Sequence, residues 1–293
     1  MGCVDRRHSN WIIFRMVVAL MPKDTPILFI GWILIAIYCG LTYGQSTSSY
    51  DNELTIKTVS ASNSLNLTAT QAGYNNKIDF SLAGTNNTIS IDQKGNDAYV
   101  GYTTLWGSGY TWGGDLYGNY NNLNIVQSCN QSPCGGDRFE FHISGNSNDV
   151  DFYQGYRIDA DGTLHSIDDY EYGGHFTRLD IHGSNNTFLG SQRANDSGHE
   201  HSNITYIYGD YNDVYTRQES NQNKTLSLTI NNDYNDIDMI QKGSATHSAT
   251  VSINGLYATD LYMLQQGTTA QTYSLTQDCQ TVGGCSVSVT QGN

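Results

Sequence analysis

The chain has 293 residues, with 14 basic and 28 acidic side chains and a formal charge of −14. A surface this acidic and this poor in Lys has little with which to neutralise phosphates, which argues against nucleic acid as a partner. Only 3 prolines, alongside 21 tyrosines and plentiful Ile, Val and Leu, argue against disorder, and scarce Ala, Glu, Lys and Arg leave little for helices. The expected fold class is all-β.

From the N-terminus, residues 27–41 form one uncharged apolar run, with Lys23 before it and Thr42-Tyr43-Gly44 after it. That is the layout of a secretory signal cleaved after Gly44, with Met16 or Met21 as alternative starts. A retained membrane anchor is the competing reading, but the run is short for a bilayer. The expected organisation is a signal peptide at 1–44, a flexible export-targeting segment at 45–62 and a β-solenoid at 63–293, secreted to the cell surface. Loss of the leader leaves 10 basic against 26 acidic groups. Four cysteines remain, as two close pairs: Cys129 with Cys134, and Cys279 with Cys285. In an exported chain such pairs predict local disulfides that staple turns. A structural zinc site would need C-x-x-C spacing or nearby His, which neither pair has.

A repeat then runs through nearly all of the remaining chain. Gly73, Gly84 and Gly95 stand 11 residues apart, with strict alternation between them. The unit is Gly-x-x-Asn-x-apolar-x-apolar-x-Gln. Its turn residues are Gly73 and Asn76, Gly84 and Asn87, Gly118 and Asn121, Gly145 and Asn148, Gly183 and Asn186, and Gly209 and Asn212. Asn232 and Asn235 continue the series with Asn in place of Gly. The closing glutamines are Gln71, Gln93, Gln127, Gln154, Gln192, Gln218, Gln241, Gln265 and Gln291, separated by 22 to 38 residues. The basic step reads as about 22–24 residues, with insertions where it swells, and the glutamines imply roughly nine coils.

Each step is one coil of strand, turn, strand and connecting turn. Gly supplies the positive φ of a tight turn and Asn tolerates it next best, which accounts for Asn232. Strand side chains alternate, so the Asn, both apolar positions and the Gln share a face. That face must point inward, because the alternate positions (Lys77, Asp79, Ser81; Asp149, Asp151; Asp236, Asp238) are polar. A buried amide without a partner is costly. Coils stacked about 4.8 Å apart would let each Gln donate to the next along a ladder that also fixes register. The sequence thus predicts a quasi-one-dimensional β-solenoid.

At these residues the chain resembles the curlin repeat, S-x5-Q-x-G-x-x-N-x-A-x-V-x-Q, of bacterial curli subunits. The Q-x-G-x-x-N portion is complete at Gln71–Asn76, and the resemblance covers residues 63–293. It implies export through an outer-membrane pore, self-association with copies and other fibre subunits, and extracellular amyloid fibres of a biofilm matrix. The chain differs from curlins in holding Leu82, Ile143, Ile181, Ile207 and Ile230 where they hold a Gln before the turn. Its long insertions and cysteine pairs are further differences.

The insertions carry the remaining candidates. Residues 99–117 are rich in Tyr, Trp and Gly, fit to stack on polysaccharide or to cover coil edges. Asp159, Asp161 and Gly162 faintly resemble a calcium loop, but Arg157 stands at the first ligand position. Asp213 and Asp236 share an outward slot in successive coils, which allows loose Ca2+ binding along that face; no other cofactor is expected. His199 and His201 flank Glu200 in what reads as a solvated loop. No catalytic motif is present. The leading reading is therefore structural: the last coil, with Tyr273, Leu275, Gln277, Val287, Val289 and Gln291, templates the next copy. A monomeric adhesin or glycan-binding solenoid, and a β-helix polysaccharide-degrading enzyme, are the rivals.

Overall fold

The structure, a computed structural model, describes residues 33–37 and 41–47 as strands, and residues 52–58, 64–101, 114–129, 136–165, 173–194 and 199–292 in full. Among these the chain is all-β and forms a solenoid of about eight turns, roughly 26 residues each. β1 (Ile33–Ile37) and β2 (Leu41–Thr47) form an antiparallel hairpin. Thereafter the chain alternates between two parallel sheets, one outgoing and one returning. Strand β3 (Glu53–Thr58) goes out and β4 (Asn66–Ala72) returns, then β5 (Lys77–Ala83) and β6 (Thr88–Lys94). The next outgoing strand comes in two pieces, β7 (Tyr99–Val100) and β8 (Gly114–Tyr117), and returns as β9 (Asn122–Ser128). Strands β10 (Arg138–Ser144) and β11 (Asp149–Gln154) follow, then a side hairpin of β12 (Arg157–Ile158) and β13 (Leu164–His165). Four regular pairs come next in the same alternation. They are β14 (Phe176–His182) with β15 (Thr187–Arg193), β16 (His201–Ile207) with β17 (Asp213–Glu219), β18 (Lys224–Ile230) with β19 (Asp236–Gln241), and β20 (His247–Gly255) with β21 (Thr259–Gln265). Strands β22 (Gln271–Cys279) and β23 (Cys285–Gln291) complete the series.

Nine out-and-back arches are thus stacked through eight steps. The undisturbed steps keep 22 to 24 residues, as from Gln71 to Gln93 and from Gln241 to Gln265, and insertions raise the mean. Register is exact in repeat units: Ile89 pairs with Leu123, and Val214 with Ile237. Inward positions fill one continuous core from Leu54 to Met263, while the alternate positions face solvent. Five fully buried phenylalanines thicken the core in the middle arches: Phe80, Phe139, Phe141, Phe152 and Phe188. Glycine makes room for two of them, because a Cβ on Gly114 would press on Phe141 and one on Gly190 would overlap the Phe152 ring.

Three structural details bear on the expected boundaries. β3 lies inside the 45–62 segment yet pairs with β5, so the stack takes in part of that segment. The aromatic insertion is narrower than 99–117. Lys77 pairs with Tyr99 and Phe80 with Gly114, so the chain leaves the coil in mid-strand and rejoins it in register, and residues 102–113 lie outside the described residues. The boundary expected after Gly44 falls within β2. No helix among the described residues is long and apolar enough to cross a membrane.

Candidate functional site: the amide ladders and the last coil

All nine repeat glutamines point inward and stack in one column. Each Nε2 donates to the Oε1 of the next, from Gln71 to Gln93 (2.9 Å), Gln127 (2.9 Å), Gln154 (2.7 Å) and Gln192 (3.1 Å). The column continues through Gln218, Gln241, Gln265 and Gln291 at 2.8 to 2.9 Å. The second amide hydrogen crosses to the first residues of the outgoing strand, as from Gln93 to the Lys77 carbonyl and from Gln241 to the Thr225 carbonyl. Every Gln therefore joins successive coils and closes the mouth of its own arch. Because each donor already has its partner, burial that would cost a lone amide is offset.

At the far end of the arches a second column forms from Asn87, Asn121, Asn148, Asn186, Asn212 and Asn235. Each Oδ1 from Asn87 to Asn212 accepts both the backbone N–H and the Nδ2–H of the next Asn, as Asn121 does from Asn148 at 3.0 and 3.1 Å, and Asn235 Oδ1 accepts the Thr259 N–H. Nδ2 also donates to the next coil's glycine carbonyl, from Asn87 to Gly118 and from Asn148 to Gly183. Gly73 and Asn76 are not part of this column. They belong to the opposite turn, where Asn76 accepts the Ala98 N–H at 3.0 Å. The 11-residue spacing visits the two ends alternately, which a single turn type in the sequence concealed.

The glycines serve both φ and close approach: Gly73, Gly84, Gly118 and Gly145 adopt positive φ, as expected. A Cβ on Gly84, Gly118 or Gly145 would overlap the carbonyl oxygen of the glycine one coil on, and one on Gly209 would overlap that of Asn232. Gly183, Gly209 and Asn232 do not adopt positive φ, so the explanation of Asn232 by φ is corrected: the constraint is contact with the following coil. Left-handed backbone recurs instead one residue before the Asn, at Asn75, Asn86, Tyr120, Ser147, Asn185, Tyr211 and Tyr234, all with φ of 56 to 60°.

In the turn that opens each arch, the Asn slot changes identity along the stack. Asn52 and Asn76 give way to Ala98 and then to Asp137, His175, His201, Lys224 and His247. Asp137 Oδ1 accepts the His175 N–H, His175 Nδ1 the His201 N–H (3.2 Å) and His201 Nδ1 the Lys224 N–H (3.3 Å). A neutral imidazole thus imitates the amide oxygen. Burial, with His175 and Lys224 nearby, holds His201 well below the usual histidine range. Lys224, fully buried, donates to the Gly243 carbonyl at 2.9 Å and to Ala245, and burial lowers it to about 8. His201 is therefore a core residue, not part of a solvated loop.

The last arch differs from the others in exposure. Tyr273, Leu275, Val287 and Val289 occupy core positions and pack on the core, yet are only half-buried. β22 pairs only with β20 and β23 only with β21, so among the described strands both outer edges are open. The Cys279–Cys285 disulfide joins the end of β22 to the start of β23, as expected. Cys129 is buried, and Cys134 lies outside the described residues.

The acidic candidates separate. Asp159 is held by Arg157 (3.1 Å), Arg217 (2.6 Å) and His165 (2.6 Å), fixing the side hairpin on β17, and Tyr215 donates to the Ile158 carbonyl beside it. Its carboxylate is taken up by these side chains, and Asp161 Oδ1 accepts the Thr163 N–H, which leaves the calcium-loop reading without support. Asp213, Asp236 and Asp260 do stack in register, with Asp238 alongside. Burial and the neighbouring Asp236 push Asp213 up, and Asp238 rises for the same reasons. No family model, curated protein or solved structure matches the chain.

Proposed function

We propose that the protein is a secreted structural subunit that assembles end to end into extracellular, curli-like cross-β fibres of a biofilm matrix and mediates surface adhesion. The reading rests chiefly on the last arch. It presents a complete cross-section of the repeat, with two open parallel edges and half-buried Leu275 and Val289 where inner coils are sealed. Open edges of this kind are ordinarily blunted by charge, Pro or a covering element. Here the outermost glutamine, Gln291, reaches only across the mouth to the Thr272 carbonyl at 3.4 Å, with its ladder direction unused among the described residues. Stacking another coil would bury those side chains and extend both sheets, as in a steric zipper. Export through an outer-membrane pore and association with other fibre subunits belong to this proposal. Catalysis has no part in it.

Electron microscopy and thioflavin fluorescence of the chain from Gln45 onward test it. Unbranched dye-positive fibres are expected, and Leu275→Lys with Val289→Lys should leave a folded chain that no longer elongates. A wild-type chain that stays monomeric at high concentration would sink the proposal. A second reading, a glycan-binding adhesin, is favoured by exposed Tyr211 and Tyr234, whose rings stack in parallel 5.0 Å apart. It predicts polysaccharide retention by the monomer.

A further inference from the structure

On the outer face of the outgoing sheet, away from both the ladders and the open end, His142, Asp180 and His182 converge. Their ligand atoms all lie within 4.8 Å of one another. The parallel register creates the group: His142 on β10 pairs directly with Asp180 on β14, and His182 is the next outward residue of the same strand. The two imidazoles lie 4.9 Å apart, centroid to centroid, and His182 is flanked by the Tyr208 ring at 5.3 Å.

Asp180 is the informative member. It is only 1% exposed although it stands on an outward position, and neither carboxylate oxygen has a hydrogen-bond partner. His182 Nε2 comes within 2.9 Å of Oδ1, but without hydrogen-bond alignment. A buried carboxylate ordinarily recruits donors. This one has a ring nitrogen of each histidine within 4.8 Å instead, a grouping suited to ligands around a shared cation. On the far side of His142, Asp115 Oδ2 stands 3.6 Å from Nδ1, where a metal-bound imidazole commonly has its orienting carboxylate.

We propose that His142, Asp180 and His182 form a binding site for a divalent transition-metal ion of the Zn2+ class. Two imidazoles and one carboxylate suit a borderline ion with an open coordination position, whereas Ca2+ and Mg2+ prefer oxygen alone. In a tetrahedral site the ligand atoms are about 3.3 Å apart, so small side-chain rotations from the present positions suffice. The site bridges β10 and β14, the step of 38 residues at which the chain leaves the stack for the side hairpin. A metal there would clamp the longest interruption of the solenoid, and binding to the folded form alone would stabilise it.

Titration of untagged, chelator-stripped protein with ZnCl2 tests this by calorimetry and thermal unfolding. One Zn2+ per chain and a raised unfolding midpoint are expected for the wild type, with no response to equimolar CaCl2. His182→Ala, at a half-exposed position, should remain folded, bind Zn2+ at least tenfold more weakly and lose the thermal shift. Asp180→Asn should do the same. Absence of Zn2+ binding to the wild type overturns the proposal, as does unchanged affinity in both variants. Neither result bears on fibre growth, which is read separately at the open end.

Discussion

His175 and His201 lie ring on ring, 4.9 Å apart with planes within 7° of parallel, and each accepts the next coil's N–H through an unprotonated Nδ1. Protonation would turn both acceptors into donors facing donors. The unfolded chain, with an ordinary histidine pKa near 6.5, takes up a proton that folded His201 resists. Stability should therefore be intact above about pH 6.5 and fall as the pH drops below it. His201→Asn, which copies Asn76, should flatten that dependence, measured as the denaturant midpoint between pH 7 and pH 5. An unchanged slope would dismiss the imidazole as the acid-sensitive element.

Lys224 has the same sign in an alkaline window. Its ammonium is buried and lowered to about 8, against about 10.5 for an unfolded lysine. The folded chain sheds this proton first, so the lysine's contribution should rise between about pH 8 and pH 10.5. Comparing wild type with Lys224→Gln over that range isolates it: the gain on going alkaline should vanish in the variant.

Gln154→Glu preserves shape and reverses one donor. The glutamate would face Oε1 of Gln192 and the carbonyls of Arg138 and His175 with no hydrogen to offer. A loss on the order of 3 kcal/mol is expected at neutral pH. Protonation restores a donor, so the deficit should shrink as the pH falls towards 4, whereas Gln154→Ala should show no such recovery.

How much of this was legible depends on how local the signal was. The Gln-to-Gln spacing named every rung of the buried column, because strand alternation converts sequence position directly into facing. Every member of the second column was named, but Asn76 was wrongly added to it, since Gly73-x-x-Asn76 and Gly84-x-x-Asn87 look identical while closing opposite ends. The His175–His201 stack was missed because those slots carry Asn only at the start of the chain. His142 and Asp180 stand 38 residues apart, and only the register across an insertion unites them. A signal existed: both strands end immediately before a repeat glycine, as His142-Ile143-Ser144-Gly145 and Asp180-Ile181-His182-Gly183. Aligning outward residues on those glycines would have found the pair.

Asp236 sits between Asp213 and Asp260 in one column, with Asp238 beside it, all on one outward face. Like charges directly opposed across strands are unfavourable by about 0.5 kcal/mol or more. Where Asn122 opposes Asp149 the same slot gains a 2.8 Å hydrogen bond instead. Asp236→Asn should raise stability by about 0.5–1 kcal/mol at low salt and weaken the benefit of added NaCl, seen in paired melts.

Tyr120 is 64% exposed and holds φ of 58°, a backbone region costly to bulky residues and easier for Asn. Tyr120→Asn, as at Asn86 and Asn185, should stabilise by about 0.5–1 kcal/mol in urea unfolding. A loss would mean the ring makes a contact that outweighs the strain.

The glutamine column has a direction. Every Nε2 looks towards the C-terminal arch and every Oε1 away from it, without a reversal from Gln71 to Gln291. An incoming molecule turned end over end would bring hydrogen against hydrogen at the join and would also flip parallel pairing to antiparallel. A filament built as proposed would carry an arrow, set by groups that do not titrate, so neither salt nor acid would erase which way it points.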